Sequence, residues 1–275
     1  MPLWLDQTFL RIVDALYGLP RHEATPAQLA ACRIVSHRGE RDGRTVVENT
    51  YPAFDALRSS GVFGLEFDVR WTRDLVPVVF HDADFRRLFG DEGRLADLTA
   101  GELGAQYPQV PSLHDFVRRY AGEFRLLAEL KHEPYADAEL QNRRLAEALA
   151  PALDAGRCHV MSLVPEMFRR LPAIPAARTL GLARLNAEAI SREALAAGRS
   201  GFACQFAALR PRYLSAHHGA GQVVGSGFPS SRSLLHREAA RGVDLIFTNQ
   251  ALQLERWRQQ DQGPAAGRGT PALRD

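Results

Sequence analysis

The chain is poor in cysteine and almost without lysine. Its three cysteines, Cys32, Cys158 and Cys204, are odd in number and far apart. That argues against a disulfide framework and a cysteine-built zinc site, and it points to a reducing compartment. One lysine, Lys131, stands among 34 Lys+Arg residues, all the others being arginine. A lone lysine in such a chain fits a position that needs a compact ammonium and cannot seat a planar guanidinium. No basic run occurs and the net charge is only +2, so no nucleic-acid partner is expected. No stretch approaches the roughly 18 to 20 apolar residues of a membrane span. The first residues also lack the early cation and unbroken apolar run of a signal peptide, so a cytoplasmic location is expected. No G-x-G-x-x-G follows a first strand, which disfavours an open doubly wound sheet.

What the chain does have is alternation. Strand-like runs fall at 33–37, 64–69, 76–80, 125–130, 159–163, 178–182, 201–205, 222–225 and 244–248. Helix-like runs at 50–60, 113–121, 136–155, 166–171, 188–197, 211–217 and 230–241 lie between most of them. Strands separated by helices indicate a parallel sheet, and about eight such units in this length predict an α/β fold, a closed TIM (β/α)8 barrel. The expected division is a helix and linker over 1–30, the barrel over 31–262, and a disordered Gly/Pro/Ala-rich tail over 263–275. Leu3, Leu5, Phe9, Ile12, Val13 and Leu16 give the leading helix an apolar stripe. Packing on the barrel is its expected role, with peripheral membrane contact the other option. The 82–110 stretch reads as a long irregular excursion, a loop or small cap at the C-terminal rim.

Residues two apart on a strand share a face. Glu66 and Asp68 therefore project together from 64–69, and two such carboxylates ionise together only beside a cation. A hard divalent metal is one solution; a solvated edge strand is the other reading. The spacing recurs at Glu129 and Lys131, ending an apolar run, where a third oxygen ligand sits beside an ammonium. His37 and His81 each end a strand-like run, the place of catalytic groups in a TIM barrel. Two imidazoles there suggest one base and one acid.

Taken in order, His37-Arg38-Gly39, Glu48-Asn49-Thr50, Glu66-x-Asp68, His81-Asp82, Glu129-x-Lys131 and the closing 242–249 segment resemble the glycerophosphodiester phosphodiesterase family. The resemblance spans about residues 33 to 250. It implies that Glu66, Asp68 and Glu129 bind one divalent metal, Ca²⁺ or Mg²⁺. It further implies that His37 and His81 are the acid/base pair, that Arg38 and Lys131 contact phosphate, and that Glu48 and Asn49 buttress the first loop. The implied reaction hydrolyses a small glycerophosphodiester to glycerol 3-phosphate and an alcohol. Several positions depart from the family pattern. The 40–47 segment is long, Leu75 replaces a turn glycine, Val224-Gly225-Ser226-Gly227 replaces a Trp-Thr pair, and Asn249 replaces an aspartate. Loss of the aromatic is expected to enlarge the substrate pocket. Two other readings remain: a phospholipase D-like enzyme acting on lysophospholipids or sphingolipids, and a silent barrel that only binds a phosphate ligand. Nothing in the sequence specifies an oligomer. His114, His132, His217 and His218 carry no assigned chemistry, and the last two are expected to cap helix carbonyls or meet solvent.

Overall fold

Eight parallel strands close into a ring, ordered β1 (Arg33–His37), β9 (Leu245–Thr248), β8 (Val223–Gly227), β7 (Gly201–Gln205), β6 (Thr179–Ala183), β5 (Cys158–Ser162), β4 (Arg125–Leu130) and β2 (Gly64–Trp71). Pairing of β1 with β2 completes it. This is the TIM (β/α)8 barrel that the alternation predicts. The ninth strand, β3 (Pro77–Val79), folds back antiparallel on β2, pairing Val69 with Val79. The computed structural model describes residues 23–263. The expected N-terminal helix and all but the first residue of the C-terminal tail lie outside the described residues.

The connecting helices are α2 (Tyr51–Asp55), α5 (Leu113–Tyr120), α6 (Ala138–Asp154), α7 (Glu166–Arg169), α8 (Ala187–Ala196), α9 (Pro211–Gly219), α10 (Arg232–Ala240) and α11 (Ala251–Gln262). Several start on side-chain caps, with Ser112, Asp137 and Ser231 each accepting a backbone N–H three residues on. Two helices outside the 82–110 stretch were not expected, α11 and one that precedes the barrel. α1 (Pro26–Ala31) occupies the supposed linker and packs against α10 and α11. Its signal was local: Thr25 and Gln28 form a capping box, with Pro26 in the first turn. The 50–60 run, by contrast, is helical only over Tyr51–Asp55, and Ser59 and Gly61 take left-handed backbone, with φ of 57° and 90°.

The 82–110 excursion is also more ordered than its sequence implied. It holds α3 (Arg86–Phe89), a 3₁₀ turn at Leu95–Asp97 and α4 (Ala100–Gln106). Phe80, Phe85, Leu95, Leu103, Tyr107 and Val110 give it a small core of its own. It leaves the barrel where β2 and β3 end, at the rim that carries the site.

Strand side chains alternate between two environments. Leu65 and Phe67 face outward, and the Phe67 ring lies 4.3 Å from that of Phe116 on α5. Truncating so buried an aromatic to alanine costs about 3–5 kcal/mol. Val35, Leu127, Met161, Leu180, Ala203, Leu245 and Phe247 face inward and fill the middle of the barrel. No helix among the described residues is long and apolar enough to cross a membrane. The three cysteines are free and buried.

Candidate active site

Strand register assembles the site. His37 lies opposite Glu66 across β1 and β2, and Asp68 lies opposite Glu129 across β2 and β4. One carboxylate oxygen from each of Glu66, Asp68 and Glu129 lies within 4.8 Å of the others, and all three residues are buried.

Carboxylates packed so closely repel one another, and their surroundings divide the response. Burial, followed by the charges of Asp68 and Glu129, pushes the Glu66 carboxyl well above its ordinary range. Burial also raises Asp68, but Arg38 and Lys131 outweigh it and hold this group below the usual carboxylate range. Lys131 Nζ is 2.6 Å from Asp68 Oδ1 and 2.7 Å from Glu129 Oε1. Arg38 Nε is 2.9 Å from Asp68 Oδ2, which also accepts from Asn49 Nδ2 at 2.8 Å. Glu66 Oε2 is buried with no hydrogen-bond partner among the described residues. An orphaned carboxylate oxygen beside two further carboxylates is a donor set suited to a hard divalent cation. The three residues fit such an ion.

The loop after β1 turns back sharply to deliver these groups. Arg38, Gly39 and Asn49 have φ of 65°, 83° and 58°. Gly39 is required by contact as well, because a Cβ there would sit 2.7 Å from Ala53 Cβ on α2.

His37 Nδ1 lies 2.7 Å from Asn249 Oδ1, and the same oxygen accepts from Arg41 Nη2 at 2.8 Å. A guanidinium only donates, so this oxygen is an acceptor and His37 must donate to it from Nδ1. Nε2 is then the free lone pair, 3.8 Å from Glu66 Oε2. Burial first, then Arg38 and Arg41, lowers the His37 pKa well below its ordinary value, so the ring is neutral near pH 7. Phe228 packs on it with ring centroids 4.7 Å apart.

His81 is oriented by its neighbour, with Nδ1 2.7 Å from Asp82 Oδ1. Asp82 Oδ2 accepts from Arg87 Nε at 2.6 Å, and Arg87 Nη2 donates to Glu48 Oε1 at 2.6 Å. Burial raises Asp82, but hydrogen bonds from His81 and Arg87 hold it at about 2. Glu48 Oε1 also accepts from Arg38 Nη1 at 2.9 Å. One buried carboxylate thus ties the β1 loop to the insertion. Burial raises its pKa, yet Arg87, Arg38 and Arg41 bring it down to about 2.

Two adjoining hollows open on this cluster. His37, Arg38, Glu66 and Glu129 line one of about 560 Å³, whose other wall is apolar: Met161, Leu182, Phe228 and Phe247. His81, Lys131 and Arg70 line the second, of about 440 Å³. Glu129, Leu163 and Arg184 border both. The two histidines therefore face the carboxylate cluster from neighbouring hollows. Arg38 and Lys131, expected to contact phosphate, both pair with carboxylates here.

A family model described as the glycerophosphoryl diester phosphodiesterase family matches residues 37–251. The chain belongs to this family. Among curated relatives, the glycerophosphodiester phosphodiesterase of Caldanaerobacter subterraneus subsp. tengcongensis is 34% identical over 90 residues, 33% of this chain and 35% of that protein. The match thus spans about a third of the relative's length. Among solved structures, the glycerophosphodiester phosphodiesterase of Agrobacterium tumefaciens aligns with TM-score 0.66 at 25% identity, covering 82% of this chain and 99% of that one. An Oleispira antarctica phosphodiesterase, solved with the product sn-glycerol-3-phosphate, aligns with TM-score 0.67 at 19% identity, covering 82% and 96%.

Departures from the family pattern have visible structural consequences. Leu75, where a turn glycine was expected, takes left-handed backbone with φ of 57°. Asn249 takes the place beside His37. On β8, Gly225 points inward, where a Cβ would meet Phe247 Cε2 at 2.7 Å. Phe247 thus takes up room that the missing aromatic was expected to leave, and the pocket opens only one layer higher, at Gly227.

Sequence reasoning left Arg41, Arg87, Asp82 and Phe228 without a role. Asp82 was visible beside His81. The other three are placed by a loop, the insertion and a strand end, where spacing carries no signal. His217, expected to cap a helix or meet solvent, is buried, with Ser191 Oγ at 2.9 Å and Gln222 Oε1 at 2.6 Å. His218 pairs instead with Asp244 at 2.9 Å.

Proposed function

We propose that the protein hydrolyses glycerophosphodiesters to glycerol 3-phosphate and an alcohol, and that the barrel, residues 31–262, carries this activity. The observation behind this reading is the convergence of three buried carboxylates beside an imidazole whose free nitrogen faces them. Glu66, Asp68 and Glu129 would hold one divalent ion, Ca²⁺ or Mg²⁺, which when bound supplies positive charge that polarises a phosphoryl oxygen.

The chain's own groups do the rest. His37 Nε2 takes a proton from the attacking hydroxyl, either water or a neighbouring hydroxyl of the glycerol. In the second case a cyclic phosphate forms, and water then opens it. As the bond from phosphorus to the alcohol oxygen breaks, His81 gives that oxygen a proton. Asp82 fixes the orientation of its ring. Lys131 and Arg38 neutralise charge on the phosphate oxygens, while Glu48 and Asn49 hold Arg38 and Asp68 in place. The ligand of the Oleispira structure is the product this reaction would release. Three buried free thiols suit a reducing, cytoplasmic setting.

The test is release of glycerol 3-phosphate from glycerophosphocholine, with EDTA and with Ca²⁺, Mg²⁺ or Mn²⁺ restored. EDTA is expected to abolish turnover and an added ion to restore it. A chain inert in every condition would be a binding barrel only. A lysophospholipid substrate is a second reading, favoured by the apolar wall of the larger hollow and by Leu185, fully exposed at its edge. Faster turnover of micellar lysolipid than of glycerophosphocholine would favour it.

A further inference from the structure

The opposite end of the barrel holds a separate, smaller cavity of about 330 Å³. It opens among the first residues of β4 to β8, remote in the fold from the carboxylate cluster. Arg125, His159, Arg178 and Arg199 line it, and no aspartate or glutamate does so. Strand alternation explains the arrangement. His159 lies opposite Leu127 across β4 and β5, so it faces inward, one layer below Met161. Arg125 shares the inward parity of Leu127 on β4, and Arg178 ends the 3₁₀ turn that leads into β6 and lines the cavity from there.

These four side chains are not equally engaged. Arg199 is spent on Glu193 and on Thr179 Oγ1. Arg125 Nη1 donates to the Gly156 carbonyl. Among the described residues, the side chains of His159 and Arg178 have no hydrogen-bond or ion-pair partner, although the Arg178 backbone N–H donates to the Pro175 carbonyl. The Arg178 guanidinium nevertheless lies over the same Gly156, where a Cβ would come within 3.3 Å of Nη2. Two guanidinium groups thus meet at one residue beside an imidazole whose pKa falls to about 4, through burial first and then Arg178 and Arg125. The remaining wall includes Phe63, Leu127, Leu180 and Leu245.

We propose that this N-terminal cavity is a binding site for a small organic oxyanion, a phosphate or carboxylate head on a short apolar body, held by Arg178 with Arg125 and His159. A guanidinium fork matches either head, and an anion relieves the mutual repulsion of the two guanidinium groups, with the neutral His159 ring beside them. The apolar wall covers the body of the ligand. The site is separate from the proposed hydrolysis and does not depend on it.

Phenyl phosphate and benzoate, titrated into the full chain and followed by histidine-ring NMR, test this. His159→Gln assigns the His159 signal, and His37 reports on the barrel mouth. The His159 signal is expected to move with at least one probe, and the comparison of probes identifies the preferred head. Arg178→Gln is expected to weaken that response roughly 10- to 100-fold, the loss of a charged hydrogen bond, while hydrolysis continues. Arg178→Lys, which keeps the charge but loses the fork, is expected to fall between. A His159 signal unmoved by both probes, or moved equally in wild type and Arg178→Gln, overturns the assignment.

Discussion

The two ends of the barrel interior carry opposite charge. At the C-terminal end Glu66, Asp68 and Glu129 crowd together; at the N-terminal end Arg125, His159 and Arg178 do. A plug of apolar side chains, Val35, Leu127, Met161, Leu180, Ala203, Leu245 and Phe247, separates them. The acidic end is largely partnered by Arg38, Lys131 and Asn49, with one oxygen of Glu66 left over. The basic end has two members, His159 and Arg178, whose side chains have no hydrogen-bond or ion-pair partner among the described residues. A barrel strand thus presents one chemistry at its beginning and another at its end. On β4 alone, Arg125 and Glu129 share a face with only Leu127 between them.

The largest effect expected from breaking this contrast is at the acidic end. His37→Ala and His81→Ala are each expected to lower kcat by about 10²- to 10⁴-fold. Circular dichroism and thermal midpoint should stay near wild type, and unchanged turnover would remove the histidine from the chemistry.

Acid titration sharpens the contrast, because each end fails in its own pH window. Glu48 binds protons less readily when folded, at about 2 against 4.5 for the free group. Its contribution, of order 3 kcal/mol, is complete above pH 4.5 and disappears as pH falls through about 2. Urea unfolding of wild type and Glu48→Gln should therefore converge between pH 5 and 2.5. His159 acts higher. Its folded pKa of about 4 lies below the ordinary 6.5, so unfolding gains protons and stability drains as pH drops from 6.5 to 4. With some solvent access the loss is about 2 kcal/mol. His159→Gln should flatten the stability profile in that window alone. The smallest effect belongs to the rim turn. Leu75→Gly relieves left-handed backbone and is expected to raise stability by about 0.5 kcal/mol, read from the thermal midpoint.

These two ends were unequally legible in the sequence. The shared face of Glu66 and Asp68, and of Glu129 and Lys131, follows from a period of two and needs no partner strand. The closed barrel follows from alternation and length. The basic floor was invisible because Arg125, His159 and Arg178 belong to three segments, and only the register of β4, β5 and β6 brings them together. Arg41 reaching Asn249, and Arg87 reaching Glu48, cross about 208 and 39 residues of chain. Such contacts leave no periodic trace. The helix at Pro26–Ala31 could have been read from Thr25 and Gln28, but apolar periodicity is too short there to draw attention. The order in the insertion was hidden for a different reason: its aromatic residues pack with one another and not on a repeating face.

The double grip of Glu48 on Arg38 and Arg87 bears on how this scaffold can diversify. Insertions at a barrel rim are where new substrate preferences ordinarily arise, since they vary without disturbing the strands. Here the insertion is not independent. Substitutions that shift Arg87 withdraw a hydrogen bond from the carboxylate that also steadies Arg38 against Asp68. Drift in the cap is therefore filtered by its effect on the reaction centre, and changes of preference should accumulate more readily around Leu182, Leu185 and Phe228, on the far wall.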